Sequence, residues 1–170
     1  MKKAHALSAK PAASAPRFYA CGVFFSAPEA WQDRTVHAFV GPRLEDGLPV
    51  AKSRYSLKVN PSVSIVSLGA MDLSAAIEAM PPPKEVDDLT VLAEGRKTEA
   101  YGEVFERVVR YTEPIEELAV QQSLRLVALG GEVFALTFSC TASAFNRQYD
   151  LFADLAQAFV AEKQRDKGRG

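Results

Sequence analysis

Apolar and polar residues alternate with a period of two along much of this chain, the mark of strands with one covered face. Loose alternation over residues 18–26 predicts a first strand, and residues 35–40 a second, after a turn made by Pro28 and residues 31–34. Gly41-Pro42 through Gly47-Leu48-Pro49 is loop chemistry. Further strands are expected over 53–59, 63–68, 89–94, 101–112, 118–129 and 132–141. Twice the period lengthens. Residues 73–80 predict a short helix, capped by Asp72 or Ser74 and stopped by Pro81-Pro82-Pro83. From a Ser143 cap, Phe145, Tyr149, Phe152, Ala156 and Phe159 recur at three- and four-residue spacing. That is an amphipathic helix of about five turns, with an aromatic seam that belongs to a core.

The last two strands are joined by Gly130-Gly131, a loop whose glycines accept the positive φ of a type I′ hairpin. The loop sets the register: Val127 opposite Phe134, Arg125 opposite Leu136, Ser123 opposite Phe138. One face then carries aromatics able to interlock with Phe145, Tyr149 and Phe152. The other holds smaller and largely apolar residues, among them Val120, Leu124, Leu126, Val133 and Ala135. A sheet covered on one side presents polar residues to water on the other. This face does not, so either the helix over residues 73–80 or something else covers it.

With 170 residues, 48% apolar and 24% charged, the chain suits one globular domain. We place it at residues 17–161, after an arm (1–16) expected to be disordered and before a basic tail (162–170). The net charge of −1 conceals +4 over residues 1–17 and +2 over 161–170, leaving −7 for the body. An acidic body argues against nucleic-acid binding, which needs a basic face on the fold. Met1-Lys2-Lys3 looks like the start of a secretory leader, but Lys10, Pro11, Pro16 and Arg17 interrupt the apolar run of roughly 7–15 residues that a leader needs. No stretch approaches the ~18 uninterrupted apolar residues of a membrane span. Cys21 and Cys140 fit neither a disulfide framework nor a zinc site and read as small hydrophobes within strands. The expected location is the cytoplasm.

Catalytic chemistry is sparse. His5 and His37 have no partner at metal-ligand spacing, and Cys140 has no base marked out for it. Glu85, Asp87 and Asp88 match no calcium loop, and Gly130-Gly131 leads into a strand where a phosphate loop leads into a helix. The reading is of a binding protein and not an enzyme, with no metal or cofactor.

The segment Pro28-Glu29-Ala30-Trp31-Gln32-Asp33-Arg34-Thr35-Val36, with the Gly130-Gly131 hairpin and the closing aromatic helix, resembles the DcrB/PsbP-like superfamily. Within it, the chain is most similar to the Eag-type chaperones of bacterial type VI secretion, over roughly residues 18–159. The resemblance implies an α+β fold, a twisted antiparallel sheet with helices packed on one face, usually as a homodimer. It implies a cytoplasmic chaperone that shields the N-terminal transmembrane helices of a PAAR-type effector in an apolar sheet groove before export. The implied client-binding positions are Val36 and Ala38 on the strand after the Trp-Gln-Asp turn, with Leu92 and Val120; Leu124 and Leu126 share the same hairpin face as Val120. The alternative is a DcrB/PsbP-like accessory protein that binds a folded partner at the cell envelope. A client helix exposes about 20 apolar residues. Burying on the order of 500 Å² of it gains about 12 kcal/mol, against an association cost of roughly 4–15 kcal/mol. One shallow groove is therefore marginal, and two copies clasping one client are mechanistically sensible. Val36→Asp or Val120→Asp is expected to abolish client binding with the fold intact.

Overall fold

The computed structural model describes residues 60–167 and the strand segments 17–20, 23–26, 36–40, 44–45 and 48–49. The chain divides into two compact units, Met1–Arg34 and Thr35–Gly170. In the first, β1 (Arg17–Ala20) and β2 (Val23–Ser26) pair antiparallel, Phe18 opposite Phe25 and Ala20 opposite Val23. The single strand expected over 18–26 is thus two, paired antiparallel. Both strands share the period of two, so the period alone did not separate them.

The second unit runs β3 (Val36–Val40), β4 (Leu44–Glu45), β5 (Leu48–Pro49), β6 (Ser62–Gly69), α1 (Leu73–Ala79), β7 (Asp87–Glu99), β8 (Gly102–Glu113), β9 (Leu118–Leu129), β10 (Glu132–Thr141) and α2 (Ala142–Lys167). Six strands form one antiparallel sheet in the order β3-β6-β10-β9-β8-β7. This is the expected α+β fold. β4 and β5 pair with each other inside the segment expected as loop. The arm over 1–16, the turn at 31–34 and the strand expected over 53–59 lie outside the described residues.

Local chemistry explains most boundaries. Gly130 and Gly131 take φ of 66° and 86°, and the β9–β10 register is the one read from the sequence, Val127 opposite Phe134 and Ser123 opposite Phe138. Asp72 caps α1, its carboxylate accepting from the Ala75 amide at 2.8 Å. Two boundaries differ. β7 continues to Glu99 and turns tightly into β8, Glu99 opposite Gly102. Gly95, Arg96 and Lys97 are poor strand formers, and pairing with β8 overrides their preference. α2 begins at Ala142 directly from β10, so Ser143 lies inside its first turn and not at its cap, and the helix extends to Lys167, about seven turns.

The core has two sides. α2 lies across one face, where Phe138 meets Phe145 and Phe152 with ring centroids 5.4 and 5.1 Å apart, and Phe134 meets Phe159 at 5.3 Å. Val104, Val127, Leu136 and Cys140 complete that layer. On the opposite face, Leu73 and Ala76 of α1 bury Phe105, Leu124, Leu126, Val133 and Ala135. Only the long helix therefore follows the one-face arrangement. The short one occupies the other side because the second hairpin face is itself apolar.

Candidate functional site

The strand registers fix which nominated side chains share a surface. Val36 stands opposite Val66, Val66 opposite Ala135, Ala135 opposite Leu126, and Leu126 opposite Phe105. One row along, Ala38, Ser64, Thr137, Leu124 and Arg107 follow the same path. Directly opposed residues point to one side of a sheet. Val36, Ala38, Leu124 and Leu126 thus lie on the α1 face, and so does Val120, opposite Tyr111.

Sharing a face is not sharing a surface. Leu126 and Val120 are 0% exposed and Leu124 is 7%. Leu124 and Leu126 lie in the α1 cluster, and Val120 packs with Val109, Tyr111, Val86 and Leu118. These three are interior side chains, a floor beneath the chain's own helix and loop. The physical reason is the parity of β9: its even-numbered residues point to α1, its odd ones to α2. Val36, by contrast, is 57% exposed, and Ala38 is exposed beside it. Leu92 is exposed too, but on β7 at the far edge of the sheet, so it does not join them. What remains open is a shelf running inward from edge strand β3, through half-buried Val66 and Leu68, to Met71 and Ile77 around α1.

Arg107 fastens the helix end of this shelf. Its Nε donates to Glu94 at 2.5 Å, a terminal nitrogen donates to the Met80 carbonyl at 2.6 Å, and its guanidinium lies 5.1 Å from the Phe105 ring centroid. Arg96 adds a hydrogen bond to the Ser74 hydroxyl at 2.8 Å. Beyond the proline run, Pro83, Lys84, Glu85, Val86, Tyr111 and Gln122 line a cleft of about 380 Å³.

The α2 face carries a polar cluster at the β7–β8 end. Lys97 donates to Glu106 at 2.7 Å and lies 3.3 Å from Glu99, which also pairs with buried Arg125. From α2, the Tyr149 hydroxyl donates to Glu106 at 2.5 Å. Burial alone would raise the Glu106 carboxyl; hydrogen bonds from Lys97 and Tyr149 and the charges of Lys97 and Arg125 outweigh it and hold it below its ordinary value. Burial, then the bond to Glu106, pushes Tyr149 up to about 12. The cluster balances its charges and ties α2 to the sheet.

No family model and no curated protein matches this chain. Among solved structures it is similar to PA94 from Pseudomonas aeruginosa, a protein of unknown function described as a candidate regulator. The two superpose with a TM-score of 0.58 at 13% identity, over 84% of this chain and 94% of that one. The likeness is one of fold.

Cys140 is fully buried, and burial pushes its thiol up to about 12, far from a thiolate nucleophile at neutral pH. His37 is exposed on β3; His5 and Cys21 lie outside the described residues. Among the described residues no group of His, Cys, Asp and Glu is arranged to hold a metal, and no helix is long and apolar enough to cross a membrane. Sequence reading missed the Arg107 clamp and the Glu106 cluster. The available signal was charge at strand positions otherwise pointing inward, Arg107 and Arg125 within apolar runs.

Proposed function

We propose that this protein is a cytoplasmic chaperone that shields N-terminal transmembrane helices of a PAAR-type type VI secretion effector until export. One observation carries the reading: an apolar shelf, Val36 and Ala38 continuing into Val66, lies open at the sheet edge beside a packed floor of Leu124 and Leu126. A free apolar strip on a pleated surface suits a client helix, and small Ala38 lets its backbone approach closely. Binding rests on apolar burial, with no nucleotide or metal, and a homodimer would double the shelf.

The contact set is revised accordingly to Val36, Ala38 and Val66, with Val120, Leu124 and Leu126 as supports. This changes the test. Val120→Asp would bury an unpaired carboxylate and unfold the sheet, whereas Val36→Asp changes the exposed rim alone. The experiment is co-expression with a PAAR effector that carries N-terminal apolar helices, measuring the soluble fraction of the effector. The wild type should keep it soluble and Val36→Asp should not, both proteins melting alike. Equal yields with the two would refute the reading. Binding to a folded envelope partner, with no effect on apolar helices, would favour the accessory-protein alternative.

A further inference from the structure

α1 sits on the sheet as a bound helix sits in a groove. Leu73, Ala76, Ile77 and Met80 recur at i, i+3, i+4 and i+7, the anchor spacing of a helix laid into an apolar groove. Leu73 and Ala76 are buried with Phe105, Leu124, Leu126, Val133 and Ala135, and Ile77 and Met80 pack at the margin. Ala76 is 0% exposed, so a small residue here brings the helix backbone close to the floor. What this floor takes is therefore on view: an apolar helix face that includes small residues.

We propose that α1 is a resident plug, which an apolar client helix displaces from the floor on loading. The inference rests on the client reading above and deepens it.

Several features suit α1 to exchange. Its seven residues span about 10 Å, whereas a client helix of about 20 residues runs about 30 Å and covers more of the floor. Both of its ends are joints. Gly69 precedes it at φ 84°, with open space where a Cβ would lie, and Pro81-Pro82-Pro83 follows with no amide hydrogen to tie the backbone down. Its polar fastenings come from two side chains, Arg107 on the Met80 carbonyl and Arg96 on the Ser74 hydroxyl. Apart from Met1, the methionines of the chain are Met71 and Met80, which flank α1 and pack on this floor. Their unbranched thioether side chains repack readily around a different occupant. The sheet keeps its other layer when α1 leaves, because α2 and its aromatic seam hold the opposite face. With α1 displaced, Val36, Val66, Ala135, Leu126 and Phe105 form one apolar row from β3 to β8. At the ordinary strand spacing that row is about 19 Å across. In the closed form the plug keeps its inner part from water until a client arrives.

The test uses the full chain and a soluble reporter carrying one N-terminal helix of about 20 Leu and Ala residues. As the reporter saturates the wild type, amides of residues 75–80 should lose protection from hydrogen exchange. Anisotropy of the labelled reporter then compares variants. Weakening the plug raises the open fraction and with it the apparent affinity. Ile77→Ala should therefore bind roughly tenfold more tightly, and Arg96→Ala roughly threefold. On a fixed shelf, trimming an apolar side chain of α1 would weaken capture instead. The exchange measurement needs only the wild type, so it decides even where a variant folds poorly. Capture with residues 75–80 still protected, or weaker binding by Ile77→Ala, would overturn the plug and leave the shelf reading in place. A wild type that captures no reporter would overturn both.

Discussion

Tyr149 and Glu106 illustrate how single groups hold α2 to the sheet. Tyr149→Phe removes one donor to a carboxylate in a partly buried cluster and should cost about 1.5–3 kcal/mol, measured by urea unfolding. Because the folded protein holds Glu106 below its ordinary value of 4.5, the stability it contributes is complete above that pH. It is lost as pH falls through the lower, folded value. Melting temperatures should therefore drop below about pH 4.5 in the wild type and fall less steeply in Glu106→Gln. Tyr149 acts at the other extreme: held protonated up to about 12, it contributes stability that is lost as pH rises from 10 towards that value. Residue identity also decides what the apolar positions do. Phe152→Ala, at a 1% exposed position on α2 stacked on Phe138 of the sheet, should cost about 3–5 kcal/mol, whereas Val36→Asp should leave the melting temperature nearly unchanged.

At the scale of elements, α1 is the piece that converts an apolar face into a floor with a rim. Seven residues are too few to form a stable helix alone, so its cap and clamp matter. Asp72→Ala should destabilise the chain by about 1 kcal/mol. Arg107→Met should loosen α1 selectively, because it releases the Met80 carbonyl and Glu94, and faster hydrogen exchange at residues 75–80 would report it. The β9–β10 hairpin was legible to the residue, since two adjacent glycines leave one register and the faces follow from parity. β7 was not: Gly95 and its charged neighbours argue for a strand end, and only pairing with β8 carries the strand to Glu99. The same limit applied to the candidate site. Pattern placed Val120, Leu124 and Leu126 on one face, and the resemblance added Val36 and Ala38, but alternation cannot tell a face covered by the chain's own helix from one left for a partner. That distinction came from where α1 lands.

At the scale of the whole molecule, the sheet has a covered centre and two unlike edges. β3 offers a largely apolar rim with Val36 and Phe39 exposed, and β7 an edge of mixed charge with Asp87, Asp88, Glu94, Arg96, Lys97 and Glu99. Raising salt should leave client capture undiminished, because it relies on apolar burial and not on exposed ion pairs. Fluorescence anisotropy of a labelled client, titrated across ionic strength, measures it. The fold itself assigns none of this, since one sheet-and-helix scaffold serves many functions. The proposal rests on the shelf, which can be tested alone. The most direct measurement is capture of a soluble reporter carrying a single N-terminal helix of about 20 Leu and Ala residues, with wild type and Val36→Asp compared at matched melting temperature. The account predicts that the wild type holds the reporter in solution while Val36→Asp lets it aggregate; equal protection by both, or by neither, would contradict it.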